Sequence, residues 1–199
     1  MPDKYGEGQD RYCYPDSDVL INLLGITDSA TLGEAEVEFT RFRLEQYAYP
    51  SFSDFTLESL KNIHLFLFQD LYKWAGEVRT VDISKGSTRF AHCGFIEQSA
   101  QKLFQQLAQE DHLKGLPQVE FVSRLAFYYS ELNAIHPFRD GNGRAQRLLF
   151  ECIAINANYQ LRWQAIGAAR WAQVNAEAFF GHLEPLAEQL ARAASRLRC

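Results

Sequence analysis

The sequence carries fewer basic residues than acidic ones. Its 199 residues include 20 lysines and arginines against 25 aspartates and glutamates, so the formal net charge is −5. Proteins that bind nucleic acid directly usually have a basic face or stripe. The composition therefore argues against direct nucleic-acid binding, while it leaves room for a local basic site.

Long apolar runs, targeting signals and clustered cysteines are also missing. No run reaches the ~18 apolar residues of a membrane-spanning helix, and the opening residues MPDKYGEGQDRY contain no hydrophobic signal-peptide segment. The cysteines Cys13, Cys93, Cys152 and Cys199 show neither CxxC nor zinc-ligand spacing, and no GxxxxGK(S/T) phosphate-binding loop occurs. We expect a cytoplasmic protein with reduced thiols that contacts no membrane.

Apolar residues recur at helical spacing through most of the chain. This spacing predicts helices over residues 31–47, 57–74, 95–107, 117–136, 145–158, 168–179 and 183–197, with a short helix before Gly25. Thr56 is a suitable N-cap, and Pro137 must end the helix that precedes it. Alternation over 78–83 and 88–91 predicts one β-hairpin. The predicted fold class is all-α, a helical bundle with one hairpin, in a single domain spanning 1–199.

Residues 136–147, HPFRDGNGRAQR, form a loop of small and charged residues between two predicted helices. Gly141, Asn142 and Gly143 tolerate positive φ and allow backbone N–H groups to turn inward around an anion. They precede a helix N-terminus, which also attracts anions. Arg144 and Arg147 lie on one face of that helix, and two guanidinium groups suit a polyphosphate better than a single carboxylate.

Asp140 and His136 add a metal ligand and a base to this loop. Magnesium is commonly bound by one or two carboxylates together with substrate phosphates, so Asp140 suffices when a nucleotide is present. His136 accepts a proton at neutral pH because its ordinary pKa lies near 6.5. Taken singly, each feature has a simpler interpretation: a histidine that caps a helix, arginines paired with Glu151, an ordinary turn. His64 and His182 belong to no motif and are interpreted as ordinary core or surface residues.

The loop resembles the signature of the Fic family, HPFx(D/E)GNGRxxR, and matches it at all nine specified positions. The resemblance to small single-domain bacterial members extends over most of the chain, including the opening KYGEGQDRYCYPDSDVL. It implies a Fic-type helical bundle with its core near 30–165, a flap hairpin near 78–92 and a catalytic loop at 136–147. It also implies an enzyme that transfers AMP from ATP to a tyrosine, serine or threonine hydroxyl of a target protein.

The resemblance assigns a role to each matching residue of the loop. It implies that His136 is the general base and that Asp140 binds the Mg²⁺ that bridges the α- and β-phosphates. Arg144 is implied to contact the β-phosphate, and Arg147 the γ-phosphate. The implied anion hole consists of Gly141, Asn142 and Gly143.

The hairpin Lys85–Phe90 resembles the family's flap, which aligns an extended segment of the target by strand addition. Lys85, Gly86 and Thr88 are expected to border the nucleotide; a purely structural ribbon is the alternative. Gly143 indicates which group is transferred. Relatives with lysine in its place are similar to kinases that transfer the γ-phosphate. The GNGR form resembles the nucleotidyl-transferring branch.

Other donors and products stay open, namely phosphoryl, UMP or phosphocholine transfer, as does a catalytically silent nucleotide-binding partner. The resemblance points to DNA gyrase and topoisomerase IV subunits as targets. Many family members carry an inhibitory helix with the pattern (S/T)xxxE(G/N), which the 199 residues lack. We therefore expect a bacterial toxin that a separate small antitoxin silences by inserting a glutamate beside Arg147.

Overall fold

The computed structural model describes residues 10–49, 54–86 and 88–197. The α-helices in this part of the chain are α1 (Ser29–Glu45), α2 (Leu57–Phe68), α3 (Ile96–Gln109), α4 (Gln118–Ile135), α5 (Asn142–Asn156), α6 (Ala168–Phe179) and α7 (Glu184–Ala193). The predicted helical class is confirmed. Predictions that concern residues 1–9, Ser87 and Cys199 fall outside the described residues.

Helix α2 shows how local sequence determines a helix start. The Thr56 side chain accepts a hydrogen bond from the Ser59 N–H, and the Ser59 hydroxyl accepts one from the Thr56 N–H, which completes a capping box. The helix ends at Phe68 rather than at Trp74 as predicted. The Phe68 carbonyl accepts from two N–H groups of the following turn, and Arg43 of α1 holds that turn by two hydrogen bonds to Asp70.

Helix α4 is the centre of the bundle and packs against α3, α5, α6 and α7. Its buried residues include Phe121, Leu125, Tyr129 and Leu132, which lie on several sides of the helix because neighbours surround it. The helix ends at His136, which adopts a left-handed conformation with φ 49°. The predicted end before Pro137 is confirmed.

The flap hairpin is shorter than predicted and begins later in the chain. Strand β1 (Ser84–Lys85) pairs antiparallel with β2 (Thr88–Arg89), so β1 lies where a turn was expected, whereas β2 falls within the predicted strand 88–91. The predicted strand 78–83 was wrong. The Arg79 side chain donates to the Val81 carbonyl, and the Arg79 N–H donates to the Pro137 carbonyl, so these backbone groups are unavailable for a β-ladder.

A second sheet, which the sequence did not predict, contacts α4. Strand β3 (Tyr159–Leu161) pairs antiparallel with β4 (Ala194–Arg196). The predicted last helix therefore stops at Ala193 instead of reaching Leu197. The expectation of a single hairpin was incomplete because β4 is too short to show an alternating pattern.

Residues 10–28 contain no helix, contrary to the prediction of a short one ending at Gly25. The chain turns at Asp16, which has φ 55°, and an antiparallel bridge joins Cys13 to Leu20. The Asn22 side chain then fixes the following loop through hydrogen bonds to four backbone groups. No described helix is long and apolar enough to cross a bilayer.

Candidate active site

The loop that joins α4 to α5 is held in shape by two hydrogen bonds of the Asn142 side chain. The Phe138 N–H donates to Asn142 Oδ1 at 2.8 Å, and Asn142 Nδ2 donates to the Phe138 carbonyl at 2.7 Å. Both residues are buried. The Asn142 side chain therefore shapes the loop, and only its backbone remains for the anion hole assigned to it.

Gly141 is the one position of the predicted anion hole where the backbone needs glycine. It has φ +76°, and a Cβ placed there would lie 2.5 Å from the Phe68 ring. Asn142 and Gly143 instead begin α5. The site thus combines one left-handed residue with a helix N-terminus, a geometry that directs backbone N–H groups toward an anion.

His136 is held in one tautomer by its surroundings. Its Nδ1 lies 3.1 Å from the Asn133 carbonyl oxygen. A carbonyl only accepts, so Nδ1 carries the proton and Nε2 keeps a free lone pair. Burial lowers the pKa of His136 to about 4, although the hydrogen bond to Asn133 opposes this shift. The ring is neutral at physiological pH and can accept a proton through Nε2.

Arg144 lies between two carboxylates, one of which the sequence did not reveal. Its Nη2 is 2.7 Å from Glu36 Oε2 on α1 and 3.7 Å from Asp140 Oδ1. Glu36 also accepts a hydrogen bond from the Tyr72 hydroxyl. The guanidinium packs over the Phe68 ring at 4.6 Å. Glu36 was missed because it lies more than a hundred residues from the loop, in a helix with a weak amphipathic pattern.

Arg147 forms neither a hydrogen bond nor an ion pair with the residues that the structure describes. The simpler interpretation, a pair with Glu151, is not found, since the Glu151 carboxylate accepts from the Tyr49 hydroxyl instead. A Cβ at Gly143 would have Arg147 Nη1 as its nearest contact, at 3.8 Å. Arg147 is thus partly buried and, among the described residues, keeps its guanidinium without a polar partner.

Asp140 lies at the mouth of the loop, with its carboxylate bonded to the Gly141 N–H. One carboxylate beside two guanidinium groups fits a Mg²⁺ ion shared with nucleotide phosphates, because magnesium takes hard oxygen ligands and few protein groups. The loop provides no further described carboxylate that contacts Asp140.

The flap reaches the site through Phe90. Its ring stacks on the His136 ring, with a centroid distance of 3.8 Å and an interplanar angle of 14°. Lys85 and Gly86 at the flap tip are exposed, and Thr88 is partly buried. The Lys85 charge contributes to lowering the pKa of His136, after burial and the Arg79 charge. The flap is therefore next to the base.

His64 lies in the core, which is one of the two places the sequence analysis allowed, and it also contacts the loop, which the sequence did not predict. It is fully buried, and its ring stacks on Phe138 at 3.9 Å. The Gly76 N–H donates to its Nδ1 at 2.9 Å; its Nε2 therefore carries the proton and donates to the Asp140 carbonyl at 3.0 Å. Burial lowers the pKa of His64 to about 4. No pattern near His64 indicates this contact.

Comparison with known proteins gives consistent matches over this site. The model of the Fic/DOC family matches residues 54–154. The chain is 42% identical over 198 residues to the probable protein adenylyltransferase Fic of Salmonella typhimurium, covering 100% of this chain and 98% of that protein. It is 44% identical over 186 residues to the Escherichia coli protein of the same description, covering 94% and 92%.

A longer relative and two solved structures are also similar. The protein adenylyltransferase VbhT of Bartonella schoenbuchensis is 40% identical over 190 residues, which are 95% of this chain and 40% of VbhT. The BepC protein of Bartonella tribocorum with bound AMPPNP has a TM-score of 0.87 at 25% identity, covering 94% and 97% of the two chains. A Fic domain of Bartonella quintana with bound ADP has a TM-score of 0.86 at 26% identity, covering 94% and 95%.

Proposed function

Because this chain belongs to the Fic/DOC family, we propose that it is a protein adenylyltransferase, which transfers the AMP moiety of ATP to a hydroxyl side chain of another protein. Relatives described as protein adenylyltransferases at 40–44% identity support the reaction. Related structures with AMPPNP or ADP support nucleotide binding. The observation that carries the proposal is a loop that joins His136, whose Nε2 has a free lone pair, to a helix whose first turns carry Arg144 and Arg147.

The loop residues divide the reaction between them. His136 Nε2 takes the proton of the target hydroxyl as its oxygen attacks the α-phosphorus. The bond from the α-phosphorus to the bridging oxygen breaks, and diphosphate leaves. Gly141 and the first turn of α5 stabilise the negative charge, while Asp140 would hold a Mg²⁺ that neutralises the phosphates.

The two arginines hold the departing diphosphate. Arg147 has an unoccupied guanidinium for the γ-phosphate. Arg144 has five N–H donors, so it can keep its bond to Glu36 and still contact the β-phosphate. Glu36 therefore orients Arg144 before the nucleotide binds.

The flap would place the target. An extended target segment adds as a strand to the edge of β1–β2, because two-residue strands leave backbone groups unpaired along their edges. The Phe90–His136 stack then fixes the distance between this segment and the base. Lys85, Gly86 and Thr88 stay assigned to the nucleotide border as a prediction.

Control by a separate antitoxin is part of the proposal. Arg147 has no polar partner among the described residues and would therefore pair with an inserted glutamate. That ion pair would compete with the γ-phosphate. Helix α1, which contacts the site through Glu36, also exposes the apolar residues Val37, Phe42 and Leu44, a surface suited to a protein partner. We propose gyrase or topoisomerase IV subunits in the bacterial cytoplasm as targets, with toxicity as the result.

Labelled ATP tests the reaction directly. The purified chain is incubated with Mg²⁺, a bacterial lysate and either α-labelled or γ-labelled ATP. Label in a protein band from the α position only is expected, and its size identifies the target. Label from the γ position would indicate phosphoryl transfer instead. Nucleotide binding without any label, matched by His136→Ala, would indicate a silent binding partner.

A further inference from the structure

Arg79 is a nearly fully buried arginine that no motif assigns to the site, with 1% of its surface exposed. Its nearest ion-pair partner is Asp82, at 3.9 Å from Nη1 and largely exposed. A buried guanidinium normally requires a close carboxylate or a full set of hydrogen-bond acceptors. Arg79 has the second arrangement.

Backbone carbonyls surround the Arg79 guanidinium. Nε donates to the His136 carbonyl at 2.8 Å, and Nη1 donates to the Val81 carbonyl at 2.6 Å. Nη2 donates to the Ile135 carbonyl at 3.3 Å and to the Ala91 carbonyl. The planar guanidinium, with its five N–H donors, can bond all four of these carbonyls, whereas the ammonium group of a lysine has only three donors and cannot.

These carbonyls belong to two parts of the molecule. Ile135 and His136 end α4, where carbonyls lack helical partners and carry partial negative charge. Val81 and Ala91 lie on the two arms that enter and leave the flap. Backbone bonds join the same parts, because the Ala91 N–H donates to the Ala134 carbonyl at 3.0 Å.

His136 needs this support because its backbone is unfavourable without it. A left-handed conformation, here φ 49°, is uncommon for a residue with a side chain and persists where its surroundings determine it. Arg79 holds the carbonyl of His136, and the flap residue Phe90 stacks on its ring. His136 is thus held at its carbonyl by Arg79 and at its ring by Phe90.

We propose that Arg79 is a positioning residue that joins the catalytic base and both arms of the flap into one rigid unit. A target segment bound to the flap then presents its hydroxyl to His136 Nε2 at a fixed distance. The consequence for catalysis rests on the proposed function, whereas the rigid unit can be measured in the absence of any substrate.

Hydrogen exchange on the full chain tests the rigid unit. Arg79→Lys keeps the charge but loses the planar fork, so the Ala91 and His136 amides should exchange at least ~10-fold faster, while amides in the middle of α5 keep their rates. Arg124→Lys is the matched control, since it breaks a two-bond pair with Glu110 and has no hydrogen bond to the flap or to the end of α4. Unchanged exchange in Arg79→Lys, or equal loss of protection in Arg124→Lys, would overturn the proposal.

Kinetics separates positioning from general damage. In Arg79→Lys, kcat for label transfer should fall by roughly 10²-fold, as expected for a displaced reacting group, while the Kd for ATP stays within about 2-fold of the wild-type value. An unchanged kcat would contradict the proposal. If the wild type transfers no label, the function fails while the exchange result still decides the rigid unit.

The wild type provides a test that does not depend on whether a variant folds. Native-state exchange in low urea should show the Ala91 and His136 amides opening together, with the same dependence on urea, because one guanidinium holds both segments. Separate openings, with the flap arm exchanging well before the end of α4, would show that Arg79 does not join them.

Discussion

His136 and His64 carry their ring proton on different nitrogens, and the neighbour of each Nδ1 determines which nitrogen is protonated. A carbonyl acceptor beside Nδ1 of His136 leaves Nε2 free to take a proton. An N–H donor beside Nδ1 of His64 forces the proton onto Nε2, which then holds the Asp140 carbonyl. One histidine can therefore act as a base, while the other can only support the loop.

His136→Ala should fold and bind ATP with Mg²⁺, while transfer falls by roughly 10²-fold or more because the proton acceptor is lost. Calorimetric titration with ATP and the label-transfer rate together check this expectation. Near-normal transfer by the folded variant would refute the assignment of His136 as general base.

His64→Phe keeps the stacking on Phe138 but removes both hydrogen bonds of the ring. The Asp140 carbonyl and the Gly76 N–H would then be buried without partners, at a cost of about 1–3 kcal/mol for each such group. Urea denaturation should show this loss, and a higher Mg²⁺ concentration should be needed for half-maximal transfer. A normal Mg²⁺ dependence would limit His64 to a role in stability.

At the scale of elements, α1 and α5 meet in the ion pair between Glu36 and Arg144. This contact brings a carboxylate close to the place proposed for the β-phosphate. The side chains of Glu36 and Arg144 are 14% and 24% exposed. Water therefore screens their charges less than those of a surface pair, and the Glu36 carboxylate acts more strongly on a nearby phosphate.

Glu36→Gln keeps the size of the side chain and its hydrogen-bonding capacity but removes the negative charge. The attraction of Arg144 for phosphate should increase by about 1 kcal/mol, which is a several-fold lower Kd for ATP. Glu38→Gln is the control, because Glu38 lies on the same helix but pairs with the exposed Arg41. An unchanged or weaker affinity in Glu36→Gln would show that the carboxylate mainly orients Arg144.

The whole molecule should become less stable in acid because the fold lowers the pKa of two histidines, His64 and His136. Their pKa values are about 4 in the fold, against about 6.5 in an unfolded chain. Between these values the unfolded state binds more protons, so the free energy of unfolding falls as pH drops from about 6.5 toward 4. Fully buried His64 accounts for about 3 kcal/mol and partly exposed His136 for less.

Urea denaturation at pH 7.5 and at pH 5 measures this loss. His64→Phe should show a smaller difference between the two pH values than the wild type, even though it is less stable at both. Equal stability of the wild type at the two pH values would show that neither histidine resists protonation in the fold.

The sequence predicted what is local along the chain. The loop 136–147 is contiguous, so its motif, the helix end at Pro137 and the Thr56 cap were visible in the residues themselves. The contacts of Glu36, His64 and Arg79 with the loop were not visible, because each residue reaches it from a distant part of the chain. Helical periodicity placed His64 on a buried stripe but could not indicate its contact with the loop. The strand predicted at 78–83 failed because the Arg79 side chain bonds the Val81 carbonyl and the Arg79 N–H bonds the distant Pro137 carbonyl.

The pairing of β3 with β4 has a consequence for the order in which the protein assembles. Helix α4 packs against α7, and the Gln118 side chain at its start donates to the Ala194 carbonyl. A ribosome adds about 5–20 residues per second, so the catalytic loop is synthesised some seconds before the segment that completes the cover of α4. During that interval the nascent chain has its motif but not its finished core. We expect chains halted before α7 to remain sensitive to protease and to transfer no label.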